Sequence, residues 1–293
     1  MVRFSYNRGF IHFYYKQARG SADMDKEWNE KYNQQDLQRL RGLRLMDDDF
    51  MSKCFENNIE CTELVLHIVL GRDDLKVEKV ETQHLIKNLQ GRSIILDIYA
   101  TDHVGKQYNI EIQRADRGAG AKRARYHSSL IDANVTEPGD KLENLAETYV
   151  IFITERDVMG DGLPIYHINR VVEETGKKFQ DEAHIIYVNG AYRDQSPLGL
   201  LMHDFSCTDP DDITYEVLAE RVRYFKEDEE GVAAMCKAME DMRNEAALEA
   251  RLDERKDVAC RLLKMGGMAL DKIAEISKLS IEEVRMLASR KNA

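Results

Sequence analysis

The sequence predicts an α/β domain followed by a helical, highly charged C-terminal region. Three features carry this expectation. Phe50 to Leu70 is apolar at helical spacing, and residues 93–113 read as two strand-like runs joined by a turn. From Glu216 to Leu262 the chain is free of proline and rich in Glu, Ala, Arg and Met.

Taken in order, residues 1–45 read as a peripheral extension, with a polar, helix-prone run from Asp23 to Arg44. Asp47, Asp48 and Asp49 precede the Phe50–Leu70 helix, where acids cap free N–H groups and face the positive end of the dipole; Gly71 ends it. Val80–Leu89 is a weak strand. Ser93–Ala100 is strongly β-branched, residues 101–106 supply a turn with Gly105, and Gln107–Gln113 alternates as the partner strand. A helix is expected over Ala119–Ala133, then strands over Thr148–Thr154, Ile165–Ile168 and His184–Val188. The domain is drawn as 46–212, and 213–293 as a charged helical region. That region closes in a helix-turn-helix-like hairpin, Leu270–Lys278 and Ile281–Arg290, with a Ser280-x-x-Glu283 capping box.

Composition narrows the function classes. The 293 residues are 43% hydrophobic and 32% charged, as in a globular protein. No apolar run approaches the roughly 18–20 residues that span a membrane, and no secretory signal is evident, so the chain reads as cytoplasmic with no membrane partner. The five cysteines form no C-x-x-C pair and no Cys/His cluster at zinc-finger spacing; they read as free, mostly buried thiols. A net charge of −11 rules out nucleic-acid binding through the whole surface. A local basic patch, or metal ions at an acidic site, would have to do it.

One constellation carries chemistry. Asp97 sits among Ile94, Ile95, Leu96 and Ile98, where a carboxylate is costly unless paired, hydrogen-bonded or bound to a cation. Glu111 and Gln113, two apart on the next strand, share one face, and Ile110 and Ile112 take the other. The hairpin brings the three polar groups together as hard oxygen ligands for Mg²⁺ or Mn²⁺, with the Ile112 carbonyl as a further donor. Each element alone has a plainer reading: Asp97 as a satisfied strand polar residue, and Glu111-Ile112-Gln113 as a strand with one wet face.

Leu96-Asp97-Ile98 followed by Tyr108-Asn109-Ile110-Glu111-Ile112-Gln113 resembles the PD-(D/E)XK nuclease superfamily. More narrowly it is similar to the recombination-promoting nuclease and transposase family, which carries Gln at the last motif position. The helix-strand-strand-strand-helix-strand order and the segments Phe50–Leu70 and Arg123–Ser129 agree, over about residues 46–240. The resemblance implies a restriction-endonuclease-like core, a mixed sheet flanked by helices, and metal-dependent cleavage of DNA. Asp97 and Glu111 would hold the metal, and Gln113 would stand where Lys is usual. Lys brings a positive charge, whereas Gln offers a dipole and two donors. The superfamily's acid on the first helix points to Glu63, which also reads as a solvated helix residue.

Arg114, Arg117, Lys122, Arg123 and Arg125, with Tyr126, cluster after the motif and suit phosphate contacts; a solvated helix face with salt bridges is the alternative. The C-terminal helices suit either DNA binding or pairing with a second copy of the chain. The leading expectation is a Mg²⁺-dependent DNA endonuclease. The alternative, favoured by Gln113, is a catalytically weak or inactive protein of this fold that binds DNA or a protein partner.

Overall fold

The fold comes from a computed structural model that describes residues 31–88, 91–114 and 118–290. Two antiparallel strands lead into the centre of the sheet, β1 (Val77–Ile86) and β2 (Ile94–Asp102). Next come β3 (Gln107–Gln113), β4 (Thr148–Thr154), a short β5 (Ile165–Ile168), the two-residue strands β6 (Val171–Val172) and β7 (Lys177–Lys178), and β8 (Ala183–Asn189). The main sheet has six strands in the order β1-β2-β3-β4-β8-β5, while β6 and β7 pair separately. β2 and β3 are antiparallel, β3, β4 and β8 run parallel, and β5 returns antiparallel. This is the mixed, helix-flanked sheet expected, with a helical C-terminal region.

The β2–β3 hairpin forms where turn chemistry was legible. Asp102 Oδ1 accepts the Val104 and Lys106 amides at 3.0 and 2.9 Å, and Gly105 takes φ +89°. Buried Asp102 also accepts the Tyr108 hydroxyl through Oδ2, so the turn is locked to β3. That lock sets the register Ile98–Ile110 and brings the Asp97 end of β2 beside Glu111.

The helices preceding the sheet differ from expectation in one respect. Phe50–Leu70 is not continuous: α2 (Asp48–Phe55) and α3 (Ile59–Leu70) follow the short α1 (Gln34–Gly42). Asn57 turns left-handed at φ +53°, and the Asn58 side chain caps α3 by accepting the Cys61 amide. Gly71 closes α3 at φ +63°, as expected. α2 buries Phe50, Met51, Cys54 and Phe55. Phe50 meets Phe225 and Phe55 meets Phe205, on α6 (Glu216–Glu227) and α5 (Pro197–Ser206). Each fully buried ring contributes roughly 1.5–3 kcal/mol. The other sheet face is covered by α4 (Ala121–Val135), whose Ala124, Leu130 and Ile131 pack with Leu96, Val150, Phe152 and Tyr187.

Residues 34–45 are not peripheral: Leu37, Leu40 and Leu45 are buried. The buried Lys226 of α6 donates to the carbonyls of Arg41 (3.1 Å), Leu43 (2.6 Å) and Thr208 (2.5 Å), tying α1 to the core. Residues 23–30 of the expected helical run lie outside the described residues.

The chain divides into two compact units, the first ending at Val232 and the second beginning at Ala233. The helical stretch expected from Glu216 breaks at Asp228, after which α7 runs from Glu229 to Met265. In the second unit, α8 (Leu270–Ser277) and α9 (Ile281–Arg290) share with the end of α7 a small core of Ala259, Ile273, Ala274, Leu279 and Val284. The capping box is present: the Ser280 amide and hydroxyl donate to Glu283, and the Glu283 amide donates back to Ser280 Oγ. Of the cysteines, Cys54, Cys61 and Cys236 are buried. No helix among the described residues is long and apolar enough to cross a membrane.

Candidate active site

Alternation along β3 turns Asn109, Glu111 and Gln113 to the face that α4 covers. On α4, Arg123 and His127 lie four apart and therefore stand on one stripe over that row. Arg123 Nη2 donates to Glu111 Oε2 at 2.9 Å, and its Nε donates to His127 Nε2 at 3.2 Å. His127 Nδ1 is 3.1 Å from the Asn109 amide nitrogen and 3.6 Å from Glu111 Oε1. Glu111 is fully buried, so Arg123 is the counterion that makes its charge tolerable.

Asp97 faces this carboxylate. Its own amide donates to Glu111 Oε1 at 3.3 Å, and its Oδ2 accepts the Ile112 amide at 2.8 Å. No donor among the described residues reaches its Oδ1. Asp97 is 8% exposed, and burial, then the charge of Glu111, pushes its pKa up to about 8, against the Ile112 hydrogen bond and Arg123. Near neutral pH this pair carries less positive charge around it than two ionised acids require. A divalent cation is the group its donor set fits: hard oxygens, one of them free.

The charge of a further acid, one that sequence reasoning assigned elsewhere, acts on the pair. Asp48, first residue of α2, raises the Asp97 pKa by its charge, and is itself held above its ordinary value. Loss of water comes first among the causes, then Asp49 and Glu111, opposed by a hydrogen bond from the Gln83 amide to Asp48 Oδ1. Asp47 was expected to cap α2, but its carboxylate makes no capping hydrogen bond. It binds the Arg44 amide and guanidinium, and Arg114 at 2.9 Å. The signal for Asp48 was its place beside the capping position, where helix chemistry already accounted for an acid.

The remaining expected residues fall in different places. Gln113, half-buried, follows Glu111, and Gly118 lies against its amide; a Cβ on that glycine would stand 1.8 Å from Gln113 Oε1. Ile112 meets Asp97 through its amide. Glu63 is not brought to the pair: α3 directs it to the start of β1, where it accepts the Val77 amide at 2.8 Å and lies 3.5 Å from Lys76. Arg114 is bound to Asp47, with Glu155 3.9 Å away. Lys122 and Arg125 are exposed on α4. The Tyr126 hydroxyl donates to the Arg92 carbonyl and accepts from the Asn88 side-chain amide. Arg117 lies outside the described residues.

Residues 56–191, which contain Asp97, Glu111 and Gln113, match the family model of the PD-(D/E)XK nuclease family transposases. The segment belongs to that family. As a PD-(D/E)XK nuclease-family domain it stands among nuclease-type hydrolases, whose reactions generally use divalent metal ions and whose substrate is DNA. No curated protein and no solved structure matches the chain.

Proposed function

We infer that the chain is a metal-dependent DNA endonuclease related to transposition or recombination proteins. The buried Asp97–Glu111 pair carries the reading, because it holds two acids together with Arg123 as its close cation. Asp97 through Oδ1, Glu111 and Asp48 would hold Mg²⁺ or Mn²⁺. Such an ion supplies Lewis acidity at a phosphodiester and lowers the pKa of a water. The protein's part is positioning. The Ile112 amide orients Asp97, and Arg123 with His127 fixes Glu111 against rotation. Gln113 offers its amide donors where charge develops on a phosphate oxygen, with no positive charge of its own. Exposed Lys122 and Arg125 are suited to backbone phosphates flanking the cut. Arg114 joins them only by exchanging Asp47 for phosphate.

Supercoiled plasmid incubated with Mg²⁺, Mn²⁺ or EDTA tests this. Wild type should nick it with metal only, and Asp97→Ala should not; cleavage undiminished in that variant would remove the pair from the chemistry. Gln113 favours a second reading, a protein that binds DNA without cutting it. Well-folded protein that retains DNA and does not cut it with either metal would support that reading, and Gln113→Lys would then be the variant to try.

A further inference from the structure

Gln83 occupies a backbone conformation that its sequence does not favour. It lies within β1, between the pairs Thr82–Ile98 and His84–Leu96, and so level with Asp97. Its φ is +51°, in the left-handed region where a residue bearing a Cβ is disfavoured and glycine or asparagine is at ease. Other described non-glycine residues with positive φ are Asn57, Gln180 and Glu182 in connections and Lys278 at the end of α8; Gln83 alone lies inside a strand.

The distortion has a visible effect. It takes the side chain out of the regular pleat and towards α2, where Nε2 donates to Asp48 Oδ1 at 3.1 Å and to Ser52 Oγ at 2.9 Å. Both protons of the amide are thereby used. Gln83 is exposed, and an exposed hydrogen bond returns little stability, so these bonds do not account for the strain as a device for folding. They do fix the orientation of a carboxylate that would otherwise sample several rotamers at a helix start. They occupy one oxygen of Asp48, and no donor among the described residues reaches the other. Strained backbone maintained beside a cluster of acids is a recurrent property of functional sites.

We propose that Gln83 is a positioning residue, held in a strained strand conformation so that its amide pre-orients Asp48 towards the metal site of Asp97 and Glu111. The inference rests on the nuclease reading. It assigns the two roles separately: Asp97, Glu111 and Asp48 touch the ion, and Gln83 acts through Asp48 alone. Freezing one carboxylate in advance spares the ion that ordering cost, which corresponds to about threefold to tenfold in affinity.

The test separates stability from metal affinity. Gln83→Gly relieves the backbone and removes the amide; Gln83→Asn tolerates the left-handed conformation but is one methylene too short to reach. Each variant, as full chain, is melted in EDTA and titrated with Mn²⁺ by calorimetry. Both should melt no lower than wild type and bind Mn²⁺ about threefold to tenfold more weakly. In an Asp48→Asn background, Gln83→Gly should change Mn²⁺ affinity no further. Variants that bind Mn²⁺ as wild type does, whatever their melting temperatures, overturn the proposal. Wild type that binds no Mn²⁺ sinks the nuclease reading and this inference with it, whereas wild-type binding matched by Gln83→Gly sinks this inference alone.

Discussion

Replacing Asp97 with asparagine should stabilise the metal-free protein at pH 8. Burial and Glu111 push the Asp97 pKa from 3.8 up to about 8. The folded chain therefore keeps a proton that the unfolded chain gives up above about pH 4. Stability from that protonated form is complete below about pH 4, falls as pH rises, and is gone above about pH 8. The slope through the window is about 1.4 kcal/mol per pH step of one, which over the four steps amounts to about 5–6 kcal/mol in total. Asparagine keeps an acceptor for the Ile112 amide and brings no charge to Glu111. In EDTA at pH 8, Asp97→Asn should thus melt above wild type, by at least about 10 °C at the 2–4 °C per kcal/mol usual for chains of this size. At pH 4 the two should melt nearly together, and Mg²⁺ should raise the wild type only. Thermal melts at both pH values, with and without EDTA, make the comparison. A variant that melts below wild type at pH 8 without metal would refute the argument that these acids are held together against their repulsion.

Three further outcomes are expected. Glu63→Ala should cost about 1 kcal/mol, because the Val77 amide loses its acceptor, and should leave Mn²⁺ affinity unchanged by calorimetry; a tenfold loss of affinity would return Glu63 to the metal site. Arg123→Ala should cost about 2–4 kcal/mol in urea unfolding, since it leaves the buried Glu111 carboxylate without its guanidinium; an unchanged midpoint would show that Glu111 finds another partner. Gly118→Ala should displace the Gln113 amide and lower plasmid cleavage about tenfold with little change in melting temperature, because the clash meets the end of a flexible side chain. Cleavage at the wild-type rate would mean that the placement of Gln113 is immaterial.

The hairpin and its acids were legible because strand alternation, turn residues and apolar flanks all pointed the same way. β3, β4 and β5 run between the residues expected, and Asp97 meets Glu111 as the two-residue period requires. Asp48 was not legible, since an acid at a helix start already has a sufficient explanation in the helix itself. Glu63 was placed wrongly for a related reason. With 50–70 taken as one helix, any acid on it was a candidate; the break at Asn57 and Asn58 separates α2 from α3, and the acid on α2 is the one whose charge acts on Asp97. Asn57-Asn58 was the available sign of that break. Gln83 carried no sign at all, because a positive φ at glutamine follows from tertiary contacts and not from residue type.

The grip of Lys226 on α1 bears on how proteases would meet this chain. Two of its three carbonyl partners, on Arg41 and Leu43, lie just upstream of Leu45 and the buried Met46. A cut between α1 and α2 would not simply trim the end: once α1 left, a buried ammonium would keep the Thr208 carbonyl and lose the other two, and Leu37 and Leu40 would leave the core. That connection should therefore resist cleavage in the native state and be cut only at the rate of global opening, so that its proteolysis reports the stability of the whole first unit.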